Sequence, residues 1–126
     1  MFFHVMVGAN DLEASRSFYD ATLEALGVPA RGKFREDPEA YMYGDPQSGL
    51  FFVTRPINGD DACHANGGTI MFKAPSVAAL EAWYAAGLAS GGSDVSGPPT
   101  AGGLPGSTMG YLRDPTGNKI AAIAFG

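Results

Sequence analysis

The chain has 126 residues, of which 45% are hydrophobic and 17% charged, as expected for one globular domain with a core of its own. Its net charge of −5 and eight dispersed basic residues argue against nucleic acid as a partner, because phosphates require clustered Lys and Arg. The single cysteine, Cys63, excludes an internal disulfide; no apolar run is long enough to span a membrane, and none is typical of a signal peptide. We therefore expect a cytoplasmic protein.

The first half predicts a strand, a helix and a hairpin. Residues 2–7 are apolar and rich in β-formers, and Gly8 ends the run. Asn10 is the predicted helix cap, and apolar residues then recur at helical spacing until Gly27. The stretch around the alternating basic residues Arg31, Lys33 and Arg35 is compatible with either a strand or a loop. Two further strands, at 41–43 and 50–54, flank a turn that is rich in Gly, Asp and Pro.

The second half repeats this order. A strand is predicted at 69–73, a helix capped by Ser76 ends at Gly91 and Gly92, and strands at 110–113 and 119–125 flank a second Asp-Pro turn. The composition of the Gly- and Pro-rich segment 90–107 is compatible with either a surface connection or a loop that folds over a pocket.

The two halves align as an internal duplication. His4 corresponds to Ile70, Leu12 to Val77, and Asp45 to Asp114, with separations that agree within four residues. We expect one domain, 1–126, with a first module at about 1–56, a linker at about 57–67 and a second module at about 68–126. The predicted fold is α+β, with two paired βαβββ modules whose curved mixed sheet surrounds a cleft for a small molecule.

The sequence also resembles a known superfamily. The resemblance rests on three segments: HVMVGANDLEASRSFYDATLEALGV near the start, NGGTIMFKAPSVAALEAWYAAGLASGG in the middle and GYLRDPTGNKIAAIAF at the end. They are similar to the glyoxalase, bleomycin-resistance and extradiol-dioxygenase proteins, also called the vicinal oxygen chelate superfamily. The resemblance implies the paired-module fold and a homodimer, with pairing within or between chains left open. It does not select one reaction, because this fold serves enzymes and non-catalytic binders.

Metal-dependent members hold a divalent ion with four side chains, and the resemblance places these positions on His4, Phe52, Ile70 and Ala121. Only His4 has a donor atom suited to a metal, and one imidazole does not hold a divalent ion. We therefore expect no metal and no other cofactor.

Three functional hypotheses follow. The first is a cleft that binds a small, partly apolar molecule, lined by His4, Phe52, Ile70, Tyr111, Arg113 and Ala121. The second is a glyoxalase-like lyase or isomerase, or a dioxygenase, whose metal ligands have moved. The third is a metal-independent enzyme in which His4 or Tyr111 performs acid–base chemistry. Tyr111 and Arg113 share one face of a strand, where they could orient an anionic or aromatic ligand, although surface pairing of Arg113 with an acid is the simpler interpretation.

Overall fold

The computed structural model describes residues 1–126. It contains two helices and nine strands, in the order β1 His4–Gly8, α1 Leu12–Ala25, β2 Ala30–Glu36, β3 Glu39–Asp45, β4 Gly49–Thr54, β5 Ile70–Lys73, α2 Val77–Ala89, β6 Ser93–Asp94, β7 Thr100–Ala101, β8 Ser107–Arg113 and β9 Lys119–Phe125. The fold is the predicted mixed α+β arrangement, and it includes β2, which the sequence left open. Segment 90–107 contains β6 and β7, which both pair with β8.

The helix ends have local causes. Asp11, and not the predicted Asn10, caps α1, since its carboxylate accepts the Ala14 N–H at 3.1 Å. Asn10 instead pairs with the linker, where its amide donates to the Ala62 carbonyl and accepts the Ala62 N–H. Ser76 caps α2 as predicted, accepting the Ala79 N–H at 3.0 Å. Gly27, with a φ of 78°, ends the first helical segment in the left-handed region.

The strands form two sheets with the same order of elements. The first sheet runs β1-β4-β3-β2 and the second runs β5-β9-β8-β6, with β7 also on β8. In each sheet the first strand pairs in parallel with the last, and the remaining long strands pair antiparallel. The duplication inferred from the sequence is therefore present in the topology.

Both helices lie between the two sheets. Helix α1 packs on the first sheet, α2 packs on the second, and the helices pack on each other. One core contains residues of both sheets, including Phe51 and Val53 from the first and Ile120 and Ala122 from the second. The ring of Phe51 also meets that of Phe72 at 5.3 Å. Because the inner faces share a core, the opposite face of each sheet, here called its open face, points outward.

A buried hydrogen-bond network joins the two modules. The Tyr19 hydroxyl on α1 donates to Asp114 at 2.5 Å, and both residues are buried. The other Asp114 oxygen accepts three backbone N–H groups of its turn, from Thr116, Gly117 and Asn118. The Asn118 amide donates both to Asp114 and to the Gly8 carbonyl at the end of β1. The Asp-Pro turn of the second module is thereby fixed to α1 and β1 of the first.

Each sheet has an edge strand with one unpaired side, β1 in the first sheet and β5 in the second. No Cα atom of β1 lies within 8 Å of β5. The Phe3 carbonyl and the Ala9 N–H both bond to β4, so the backbone groups of His4 and Met6 point away from it, toward the free edge. On β5 the backbone groups of Met71 and Lys73 point outward in the same way, since the Ala74 N–H bonds to β9. The outer sides of β1 and β5 are therefore free to pair with another strand.

Neither helix combines the length and hydrophobicity that a membrane-crossing segment requires.

Candidate functional site

The open face of the first sheet is apolar and aromatic. His4 and Met6 on β1 lie beside Leu50 and Phe52 on β4, and Met42 on β3 pairs with Phe52. The His4 ring meets the Phe52 ring edge-on at 5.2 Å. Phe52 itself is buried beneath its neighbours, while His4 and Met6 are exposed. Side chains of this kind suit the apolar part of a small ligand.

A bulge in β2 adds Phe34 to this face. The register between β2 and β3 shifts between Lys33 and Arg35, so Phe34 is the extra residue. Its ring lies 4.7 Å from that of Phe52, yet half of the Phe34 surface is exposed. An exposed phenylalanine packed edge-on against a buried one forms a ready contact for another apolar surface.

The open face of the second sheet is different in chemistry. Met109, Tyr111 and Arg113 alternate along β8 and lie opposite Ile123, Ala121 and Lys119 of β9. The Lys119 ammonium lies 5.3 Å from the centre of the Tyr111 ring, a cation–π distance. A hollow of about 470 Å³ lies over this face, lined by Thr69, Met71, Val95, Ser96, Tyr111 and Lys119. Val95 and Ser96 belong to the Gly-rich segment 90–107, which thus forms one wall of the hollow.

Ile70 lies on the other side of its strand. It packs with Phe72 against the shared core, whereas Met71 and the preceding Thr69 belong to the open face. The placement of Ile70 as the counterpart of His4 is therefore corrected by one residue, to Thr69. A slip of one residue in a strand transfers every side chain to the opposite face, and the Gly-Gly-Thr sequence alone does not set that register.

The predicted site residues divide between the two sheets. His4 and Phe52 lie on the open face of the first sheet, while Tyr111, Arg113 and Ala121 lie on that of the second. Since both sheets turn their inner faces toward the helix pair that lies between them, these groups face away from each other within one chain. Between the free edges of β1 and β5 lies a groove of about 560 Å³, lined by apolar residues of both strands and by Met1, Phe2 and Phe3.

The residues at the metal positions of the superfamily do not fit a metal. With the corrected register they are His4, Phe52, Thr69 and Ala121, and two of these have no donor atom at all. No group of three or more His, Cys, Asp or Glu side chains anywhere in the structure is close enough to hold an ion. A donor set of one imidazole and one hydroxyl falls short of the three or four ligands that protein metal sites use.

His4 and Tyr111 have no partner of the kind that acid–base catalysis requires. The His4 ring contacts the rings of Phe3 and Phe52, and no carboxylate orients it. The Tyr111 hydroxyl contacts only the Met109 sulfur, at 3.5 Å. Arg113 donates to the Gly117 carbonyl at 2.8 Å and forms no ion pair with an acid, so its guanidinium keeps donors for another group.

The strongly perturbed titrating groups lie outside these faces. Burial, together with the charge of Asp114, raises the pKa of Tyr19 well above its usual value. Burial and a hydrogen bond to Asp20 raise the pKa of Tyr43 in the same direction. Both tyrosines belong to the shared core, so the shifts reflect packing between helices and sheets.

Several lining residues were not among those predicted from the sequence, including Met6, Phe34, Met71 and Lys119. Strict alternation from His4 and Ala121 identifies Met6 and Lys119, and the same rule applied with the corrected register identifies Met71. Phe34 owes its position to a bulge, which alternation does not reveal.

Comparison with known proteins supports one assignment. A sequence profile described as the glyoxalase/bleomycin resistance protein/dioxygenase superfamily matches residues 2–122. A crystal structure of a glyoxalase/bleomycin resistance protein from Albidiferax ferrireducens T118 is 46% identical, with a TM-score of 0.87 over 100% of this chain and 99% of that one.

More distant structures share the fold. A glyoxalase-related enzyme from Fulvimarina pelagi is 20% identical, with a TM-score of 0.72 over 98% of this chain and 87% of that one. Lactoylglutathione lyase from Agrobacterium tumefaciens is also 20% identical, with a TM-score of 0.62 over 98% and 92%. Among curated proteins, none matches this chain. From the profile and the A. ferrireducens relative together, the chain belongs to the glyoxalase/bleomycin resistance protein/dioxygenase superfamily.

Proposed function

We propose that this chain is a cytoplasmic homodimer in which each cleft binds a small, partly apolar molecule without a metal. The observation that carries the proposal is the lining of the first sheet's open face. Met6, Phe34, Met42 and Phe52 share the open face with His4, where metal-dependent relatives supply ligands. A hydrophobic face with a single polar side chain favours binding of an apolar body over chelation.

The free edges of β1 and β5 support the proposed pairing between chains. An exposed edge strand with unpaired N–H and C=O groups readily pairs with another strand, and both β1 and β5 are such edges. Joining β1 of one protomer to β5 of its partner would extend the first sheet of one chain into the second sheet of the other. The apolar open face and the Tyr111–Lys119 face, which point apart within a chain, would then line one cleft.

The binding test uses phenylnaphthylamine, an uncharged fluorescent dye that brightens in apolar sites. We expect saturable binding with one dye per protomer. Phe34→Ala should weaken the binding roughly tenfold, because truncating a buried aromatic contact costs about 1–2 kcal/mol. Leu88→Ala, which removes an exposed side chain of α2, is the matched control and should leave the affinity unchanged. Absence of saturable dye binding would contradict the proposal.

The dimer test uses sedimentation velocity. Met6→Pro removes an N–H that points to the free edge, so it should dissociate the dimer and leave the β1–β4 bonds intact. Met6→Thr keeps the N–H and is the control, with a dimer expected. Circular dichroism spectra should be alike for both variants. A folded Met6→Pro variant that stays dimeric would show that β1 is not the interface.

A metal-dependent reaction is tested separately by elemental analysis. Protein purified without chelator should contain well under one divalent ion per chain. About one zinc, nickel, manganese or iron per chain, lost on His4→Ala, would overturn the metal-free part of the proposal.

A further inference from the structure

The cations of the second module are placed unevenly. Residues 68–126 contain three basic side chains, Lys73, Arg113 and Lys119. All three occupy open-face positions: Lys73 follows Met71 by two residues on β5, and Arg113 and Lys119 lie opposite each other on β8 and β9. In a protein with a net charge of −5, this face is therefore positively charged.

The three acids of the same module are all elsewhere. Glu81 lies on helix α2, and Asp114 is buried in its turn. Asp94 pairs in register with Leu112, a core residue, and accepts hydrogen bonds from Tyr84 and the Gly97 N–H. None of these carboxylates neutralises the open face.

Arg113 and Lys119 form an unusual cross-strand pair. Like charges directly opposite each other on adjacent strands destabilise a sheet, and here no carboxylate lies within ion-pair distance of either. An anion bound between them would relieve the repulsion. The Tyr111 ring beside Lys119 would at the same time offer a flat surface to an aromatic or alkyl group.

The adjoining hollow supplies further donors. The hydroxyls of Thr69 and Ser96 line it and form no hydrogen bond within the chain, while Met71 and Val95 provide apolar walls. The Lys119 ammonium lines the same hollow, and the Arg113 guanidinium lies opposite Lys119 on β8. Such donors suit a carboxylate, sulfonate or phosphate group.

We infer that Arg113, Lys119 and the Thr69–Ser96 hollow form an anion subsite, and that the ligand is a small amphipathic anion. Its charged group occupies this subsite, and its apolar body lies against Phe34 and Phe52 of the partner subunit. The inference rests on the proposed function, since the apolar half of the cleft comes from the other chain. The acidic overall charge of the protein does not predict the charge of the ligand, because the cations concentrate where the ligand binds.

The test compares two dyes that share the same rings. Anilinonaphthalene sulfonate has a sulfonate, and phenylnaphthylamine does not. The sulfonate dye should bind roughly three- to tenfold more tightly than the uncharged dye, and the difference should shrink as salt is added. Lys119→Gln should remove most of this preference, because the affinity for the sulfonate dye falls more than the affinity for the uncharged dye, and Lys119→Arg should retain the preference.

Lys33→Gln is the matched control, because it removes one lysine charge from the opposite side of the first sheet, where Lys33 pairs with Glu36 and Glu39. Arg113→Gln is a second variant and should act like Lys119→Gln. Equal affinity for the two dyes, or equal effects of Lys119→Gln and Lys33→Gln, would overturn the anion subsite and leave the apolar cleft standing. Failure of both dyes to bind would overturn the proposed function and the subsite together.

Discussion

Removing one hydroxyl from the network between the modules should lower the stability of the whole chain. In Tyr19→Phe, the Asp114 oxygen that accepts the Tyr19 hydroxyl keeps only the Asn118 amide as a donor. The other oxygen keeps its three backbone donors, so the carboxylate is not left unpaired. The variant loses one hydrogen bond to a buried charged group and creates almost no cavity.

A hydrogen bond to a charged group contributes about 1.5–3 kcal/mol to stability. Because Asp114 keeps four other donors in the variant, we expect a loss of about 2 kcal/mol and not the upper end of this range. For a domain of this size that loss corresponds to a decrease in Tm of roughly 6–10 °C. Urea and thermal unfolding at pH 7 and one fixed protein concentration measure it, with an unchanged m-value expected.

Tyr84→Phe is the matched control. Tyr84 is the counterpart of Tyr19 in the second module, but its hydroxyl bonds to Asp94 at the surface. Its removal should leave the midpoint close to that of the unsubstituted chain. Equal shifts for the two variants would refute the role assigned to the buried network.

Three other predictions concern pH, packing and metal. The pKa of Tyr19 and that of Tyr43 are raised in the folded protein, so the stability from their neutral forms is complete below about pH 10 and is lost as pH rises through the folded pKa. When the pH is raised from about 9 to about 11, the double variant Tyr19→Phe/Tyr43→Phe should therefore lose less stability than the unsubstituted chain. Urea titrations at each pH measure the free energy of unfolding, and an equal dependence on pH in the two proteins would contradict this prediction. Gly87→Ala should destabilise the chain by about 1 kcal/mol or more in the same assay, although alanine has the better helix propensity. The reason is that the new Cβ overlaps Leu112 and comes within 3.3 Å of a Phe18 ring carbon. An increase in stability would show that the core can rearrange to accept the methyl group. Added zinc should raise the Tm by less than about 1 °C, equally with and without His4→Ala, and a larger shift confined to the unsubstituted chain would indicate a metal site.

Much of the fold follows from local sequence. The bounds of β9 and the Ser76 cap agree with the predictions. An apolar run of β-formers after a turn is typical of a strand, and a serine before an apolar stretch with helical spacing is typical of a helix cap. The sequence places the α1 cap on Asn10, one residue before the cap that the structure shows. Adjacent Asn10 and Asp11 are both good caps, and the tertiary contact of Asn10 with Ala62 decides between them.

The candidate site is less accessible from sequence. The sequence does not decide between a strand and a loop for β2, because its alternating residues are basic and not apolar. The strand forms by pairing with β3. The predicted position of the site residue on β5 is wrong by one residue, because the face that each side chain of β5 occupies is set by the pairing of β5 with β9. That each sheet's open face points outward depends on how α1 packs on α2, a contact between distant segments that periodicity does not encode.

The outward-facing sheets have a consequence for mixtures of variants. In the proposed dimer every cleft combines the first sheet of one chain with the second sheet of the other. A chain with Phe34→Ala and a chain with Lys119→Gln, once paired, would form one cleft with both defects and one cleft with none. Mixed dimers of two weakened variants should therefore regain tight binding in half of their clefts, whereas a protein with its cleft inside one chain would gain nothing from mixing.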